Sequence, residues 1–267
     1  MHSNFIQEIF NNNKAPLIKM NKLNKNSDAL SRVNSKYYLD CLNIVIKVGI
    51  QKSIDKDYSI GKKLQSIPGF IQYIHKVDCD DDIKDKIAIY FDDQYDTIDH
   101  LLMSYLPLGS MRVFDWEHHI DAFRSCWKQL ITSLYIAFKT YGFLHSDIHL
   151  GNVLISETKK TSIKYSDRDV ACHGYEIVIM DFENSFVNVD TGDTTHFYLD
   201  MRRIVSDITY VLKLEFDEME TIERFIIERC HLSSKLDDIF QLFDIIDRMK
   251  FLGKRKPFIL SYDPNVF

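Results

Sequence analysis

The chain has 267 residues, 45% of them hydrophobic and 13% aromatic, enough to bury one large core or two smaller ones, which excludes a disordered or fibrous protein. A formal net charge of −6 leaves no global basic face, so nucleic acid is not an expected partner. Five scattered cysteines with no CxxC pair argue against a disulfide framework or a structural zinc site and for a reducing compartment.

The amino terminus, MHSNFIQEIFNNNK, lacks a basic start followed by an apolar stretch. No uncharged apolar run approaches the roughly 20 residues of a bilayer span. A cytoplasmic protein, neither secreted nor membrane-bound, is expected. The first strand-like run is Ile44–Val48, β-branched and short, and Ile87–Phe91 is similar. Between them Ile54–Leu64 is helix-like and closes at Ser66-Ile67-Pro68-Gly69. A third run, Leu101–Leu106, ends at Pro107 and Gly109. The first hundred residues therefore predict a small sheet with one helix.

From Phe123 the texture changes. Phe123, Trp127, Leu130, Ile131, Leu134 and Phe138 fall on one helical face, and Gly142 stands where a helix end favours a left-handed residue. Val153–Ser156 and Glu176–Met180 read as short strands with a polar stretch, 157–175, between them. Leu199–Leu214, Asp217–Cys230 and Ile239–Met249 read as helices. The Cys-His dipeptides at 172–173 and 230–231 lack four-ligand metal spacing and read as loop and helix residues. The fold class predicted is α+β, one domain over 1–267 with a small β-rich part over 15–106 and a helical part over 110–267.

Chemistry concentrates after the first long helix, in His145-Ser146-Asp147-Ile148-His149-Leu150-Gly151-Asn152 followed by a strand, with Asp181-Phe182-Glu183 closing the next strand. Taken alone, an H-x-D-x-x-x-x-N pattern arises by accident in about 3% of chains this long, at roughly one residue in twenty per specified position. Its context of helix before and two strands after makes accident a poor account. Each residue also has a plain reading: Lys47 as an edge-strand lysine that discourages aggregation, Asp147 and Asn152 as turn residues, Asp181 as an ordinary strand-end carboxylate.

Together these residues resemble the protein-kinase-like superfamily, whose catalytic loop and metal-binding Asp-Phe-Gly follow that layout. In texture the chain is most similar to the divergent serine/threonine kinases of large DNA viruses, which for a viral protein would mean host cytoplasm or virion. The resemblance implies a two-lobed kinase-like fold and transfer of the ATP γ-phosphate to a hydroxyl. It implies Asp147 as the group that orients the acceptor hydroxyl, with His149 beside it where a loop lysine usually touches the transferred phosphate. Asn152 and Asp181 are implied as Mg²⁺ ligands, oxygen donors of the kind this hard cation takes. Lys47, in an apolar strand like the family's Val-Ala-Ile-Lys, is implied to pair with the α- and β-phosphates, steadied by Asp57 or Asp55 in place of the usual Glu. Leu102–Ser110 resembles the hinge, with Ser104 and Leu106 against the nucleotide, and Asp200 resembles the buried carboxylate that anchors the large lobe.

Four features depart from that family. No glycine precedes Gly49, so Asn24–Ser31 replaces the usual glycine-rich loop. Ser146 stands in place of the loop arginine that answers activation-segment phosphorylation. His149, with an unperturbed pKa of about 6.5, has the chemistry to carry a proton beside a phosphate. Eighteen residues separate Asp181 from Asp200, without an Ala-Pro-Glu. Three functions stand: an atypical serine/threonine-protein kinase, favoured because only 67 residues follow Asp200; a small-molecule kinase of the amino alcohol or aminoglycoside type, with Asp190, Asp193, Asp207 and Asp217–Glu220 as acceptor carboxylates; and a nucleotide-binding pseudokinase. A protein acceptor is expected ahead of a small molecule. No motif speaks to the oligomeric state.

Overall fold

In a computed structural model, residues 18–19, 34–39, 44–78, 98–214, 216–231, 235–249 and 251–254 are described. Contacts divide the chain into two compact units, one of Met1–Ser66, Phe70–Pro107 and Met180–Ser185, the other of Ile67–Gly69, Leu108–Ile179 and Phe186–Phe267. The expected strand Ile87–Phe91 and the replacement loop Asn24–Ser31 lie outside the described residues.

The first unit is built on an antiparallel sheet of β1 (Ile18–Lys19), β2 (Asn34–Leu39), β3 (Ile44–Ile50), β4 (Tyr73–Asp78) and β5 (Ile98–Ser104), in the order β1-β2-β3-β5-β4. β3 is therefore interior, with Lys47 opposite Lys36 on one side and Leu101 on the other. The edge-strand reading of Lys47 fails for that reason. Its β-branched sequence suits a strand paired on both edges, and Val45, Ile46 and Lys47 are all buried. Helix α1 (Gln51–Leu64) follows without a loop and packs on β3, β4 and β5. It buries Ile54, Asp57, Ile60, Gly61 and Leu64, one stripe at helical spacing. Lys62 and Lys63 in its last turn complement the helix dipole.

The second unit is organised by α2 (Ile120–Tyr141), whose Phe123, Trp127, Leu130, Ile131, Leu134 and Phe138 are buried as the periodicity predicts. Gly142 ends it in the left-handed region at φ 55°, its N–H on the carbonyl of Phe138 at 2.7 Å. β6 (Val153–Glu157) returns through a small hairpin of β7 (Ser162–Lys164) and β8 (Asp169–Ala171) to pair antiparallel with β9 (Tyr175–Ile179). That hairpin lies within the polar stretch 157–175; its strands bury only Ile163 and Val170, too few to mark them in the sequence. The amide of Gln129, buried in α2, donates to the carbonyl of Tyr175 and accepts from the N–H of Ile177, both at 3.0 Å, so a helix side chain supplies β9 with backbone partners.

Beyond β9 come α3 (Thr195–Val211), β10 (Leu212–Leu214), α4 (Phe216–His231), a 3₁₀ segment Leu236–Gln241 that runs into α5 (Leu242–Arg248), and β11 (Phe251–Lys254), which pairs with β10. The helix expected to reach Leu214 thus stops at Val211, because Leu212–Leu214 find a partner some forty residues downstream. The last expected helix begins as 3₁₀. The outcome is α+β, as expected. Among the described residues, no helix is long and apolar enough to cross a membrane.

Candidate active site

In the first unit, α1 and β3 bring an ammonium and a carboxylate together in the core. Lys47 Nζ lies 2.6 Å from Asp57 Oδ2, with both side chains buried. Asp55 is exposed and pairs instead with Lys76, so the choice left open between the two carboxylates falls to Asp57. Lys47 also donates to Asp181 Oδ1 at 2.6 Å and to Glu183 Oε2 at 3.2 Å. Burial alone would lower the lysine pKa, but the charges of Asp181, Asp57 and Glu183 outweigh it and hold the ammonium protonated well above its ordinary range. Ser53 Oγ, on α1, donates to the same Glu183 oxygen at 2.9 Å.

Asp57 serves more than the lysine. Its Oδ1 accepts the Phe182 N–H at 3.0 Å and the Tyr73 hydroxyl. Phe182 is fully buried against Phe70 and Tyr73, at ring-centroid distances of 5.9 and 6.2 Å. Asp181 takes φ 77°, a left-handed conformation that an Asp tolerates better than most residues. Such a backbone persists only where its surroundings hold it, and the Asp57–Phe182 bond is one such hold. Ser104 closes β5 and is exposed, and Leu106 follows two residues later, half-buried.

In the second unit, Asp147, His149 and Asn152 sit on one loop that runs into β6. Asp147 is exposed at its apex. The Asn152 side chain donates through Nδ2 to the Asp147 carbonyl at 3.1 Å, which fixes the amide within the loop. Ser146 has φ 63°, and its N–H together with that of His145 points at the buried carboxylate of Asp200, with His145 at 2.8 Å and Ser146 at 3.2 Å. Arg203 closes the same carboxylate at 2.8 Å. Asp200 therefore anchors the loop backbone.

His149 Nδ1 accepts the Gly151 N–H at 3.0 Å, which leaves the ring neutral with its proton on Nε2. Burial and then the charge of Arg112 lower its pKa, which runs against the protonated imidazole considered from sequence. A Cβ on Gly151 would lie 2.8 Å from His149 Cε1, so glycine admits this folded-back ring. Asp207, on α3, accepts the Leu150 N–H at 2.6 Å and Arg112 at 2.9 Å; it holds the loop and is not a free acceptor-site carboxylate. Asp190 and Asp193 accept backbone N–H groups of Gly192 and Thr195 in the turn before α3. His173 lies in a turn, and Cys126 and Cys172 are free and buried.

Among the described residues no group of three or more His, Cys, Asp or Glu is arranged to hold a metal. The donors expected for Mg²⁺, the Asp181 carboxylate and the Asn152 amide oxygen, are nonetheless the hard oxygen ligands that this ion takes, and it usually keeps several waters as well. Sequence reasoning missed Tyr73, Gly61, Arg112 and the Ser53–Glu183 bond. None belongs to a local motif, and each acts across distant segments.

A relative in Dictyostelium discoideum described as a "Probable serine/threonine-protein kinase" is 33% identical over 75 residues, which take in 26% of this chain and 6% of that protein. A solved structure described as "WaaP in complex with acyl carrier protein" aligns over 90% of this chain and 89% of its own with a TM-score of 0.48 and 10% identity, a likeness too slight to argue from. The profile described as "Haspin like kinase domain" matches residues 9–205, well over half of the 267-residue chain. The chain belongs to the family of haspin-like kinase domains.

Proposed function

We propose that the chain is an atypical serine/threonine-protein kinase that moves the ATP γ-phosphate to a protein hydroxyl, with the β-rich unit as its N-lobe (15–106) and the helical unit as its C-lobe (110–267). The observation that carries this reading is the buried Lys47–Asp57 pair, whose carboxylate also takes the Phe182 N–H. Phosphoryl transfer asks for little covalent help and is catalysed by positioning and charge neutralisation. Lys47, preset by Asp57, presents a permanent cation to the α- and β-phosphates. Asp147, exposed on a loop held by Asp200 and Asp207, accepts or orients the proton of the attacking hydroxyl. His149 offers an Nε2–H donor beside it and no charge. Asn152 and Asp181 would hold Mg²⁺, and Ser104 and Leu106 border the adenine. Bound there, the cation supplies neutralisation and alignment of the phosphate oxygens.

The test is transfer of label from ATP in the presence of Mg²⁺ to a panel of acidic and basic proteins and of amino alcohols, against an Asp147→Ala control. Label on serine or threonine of a protein is the expected result. Label on an amino alcohol instead would favour the small-molecule kinase, and no transfer above the control would leave a nucleotide-binding pseudokinase.

A further inference from the structure

We propose that Tyr73 is a positioning residue for Lys47, acting through Asp57, and that Gly61 is the matching vacancy on α1 that admits the tyrosine ring. The proposal rests on the phosphotransfer reading above and adds to it the residues that make a short carboxylate sufficient. An aspartate reaches one methylene less far than a glutamate, so its carboxylate is aimed by fewer torsions and depends more on what surrounds it.

Three donors surround it. Lys47 occupies Oδ2, while the Phe182 N–H and the Tyr73 hydroxyl share Oδ1. All three are buried, so no solvent competes for the carboxylate. Burial and the neighbouring Asp57 charge push the Tyr73 phenol well above its ordinary pKa, which keeps it an O–H donor. With the hydroxyl in place the carboxylate plane is fixed from both ends; without it Oδ1 keeps one backbone partner and is free to rotate away from Lys47.

The ring reaches this position because of Gly61. Gly61 lies four residues after Asp57 on the same face of α1. A Cβ there would fall 2.6 Å from Tyr73 Cδ2 and 3.2 Å from Phe182 Cε2. Real side chains do not approach so closely, so any larger residue at 61 displaces the tyrosine. The gap on the helix, the ring that fills it and the hydroxyl on Asp57 form one interlocking contact, and Phe182 meets the same ring at an interplanar angle of 71°. Lys47 and the Asp181-Phe182 segment are thereby set by the same group.

The experiment compares the full chain with Tyr73→Phe, Asp57→Asn and the double variant, read by phosphotransfer kinetics and by urea unfolding. Tyr73→Phe keeps the ring and removes one charge-assisted hydrogen bond. It should lower kcat/KM for ATP by about 10- to 100-fold, the span such a bond gives, and leave KM for the acceptor in place. A merely structural role would instead reduce the active fraction and leave both KM values alone. In the Asp57→Asn background the tyrosine meets a neutral amide oxygen, so the same change should cost less than in the wild type and the unfolding cycle is non-additive. If Asp57→Asn does not fold, amide exchange supplies the second measurement, and residues 180–185 should lose protection in Tyr73→Phe. Unchanged kcat/KM in Tyr73→Phe, an additive cycle, or unaltered exchange overturns the proposal. A non-additive cycle in a wild type that transfers no more phosphate than Asp147→Ala supports the Tyr73–Asp57 contact and overturns the phosphotransfer reading instead.

Discussion

Lys47→Met should destabilise the chain by about 3–5 kcal/mol, the range found when one partner of a buried ion pair is removed. Lys47 touches three carboxylates, but they are not equivalent. Asp181 and Glu183 are 18% and 23% exposed and can recruit water, whereas Asp57 is fully buried. The stranded charge is therefore that of Asp57. Its Oδ1 keeps Tyr73 and Phe182, which places the expected loss near the lower end, about 3 kcal/mol. Because the folded-state pKa of Lys47 is raised, its contribution is complete below the unfolded value of about 10.4 and is lost only as pH rises through the folded value. The gap between wild type and variant should thus hold steady from about pH 6 to about pH 9. Urea melts at constant m-value measure it. Adding Asp57→Asn removes the buried charge while an amide oxygen remains for Tyr73 and Phe182, so the double variant should regain most of the loss. A single-variant loss below about 1 kcal/mol, or a further loss in the double variant, would refute the reasoning.

Gly61→Ala gains about 1 kcal/mol of helix propensity but forces an overpacked contact of about 1–3 kcal/mol, for a net loss in urea melts; in a Tyr73→Leu background the contact with the tyrosine ring goes and only the 3.2 Å approach to Phe182 remains, so the same substitution should cost less. Asp200→Asn weakens the acceptor for the His145 and Ser146 N–H groups and should lower kcat more than it raises KM for ATP, with a stability loss of about 1.5–3 kcal/mol. Asp181→Ala should abolish the Mg²⁺-dependent part of nucleotide binding, measured by titrating a fluorescent ATP analogue with and without the ion; intact metal dependence would remove Asp181 as a ligand.

Elements with strong local periodicity were legible in the sequence, and elements that depend on distant partners were not. α2 announced itself through six apolar residues on one face and Gly142 at its end. β10 did not, because Leu-Lys-Leu continues a helical pattern until β11 is known. The same division runs through the site. Asp147, Asn152 and Asp181 stand in recognisable spacing, and Lys47 in a recognisable apolar strand. Asp57 and Asp55 were left as alternatives, although helix geometry separates them: two residues apart they project about 200° from each other, and only Asp57 shares the stripe of Ile54, Gly61 and Leu64. Tyr73 carried no signal, since its meaning comes from a glycine twelve residues earlier and an Asp-Phe segment more than a hundred residues later.

Buried carboxylates do the same physical work in each unit. Ser146 and Asp181 both adopt positive φ without being glycine, and their neighbours leave the regular hydrogen-bond ladders. Backbone N–H groups in such segments need acceptors, or the segment gives up its conformation. Asp200 accepts from His145 and Ser146, Asp207 from Leu150, and Asp57 from Phe182. Each carboxylate also pairs with a cation, Arg203, Arg112 and Lys47 respectively. On the proposed function, Lys47 differs from the two arginines because its charge would have a second use on a nucleotide. Any shift of Lys47 toward phosphate leaves Asp57 with fewer donors, so its bonds to Tyr73 and Phe182 must hold the segment during that exchange. An aspartate backed by a tyrosine would meet that demand, because two of its three donors, Tyr73 and Phe182, are independent of the lysine.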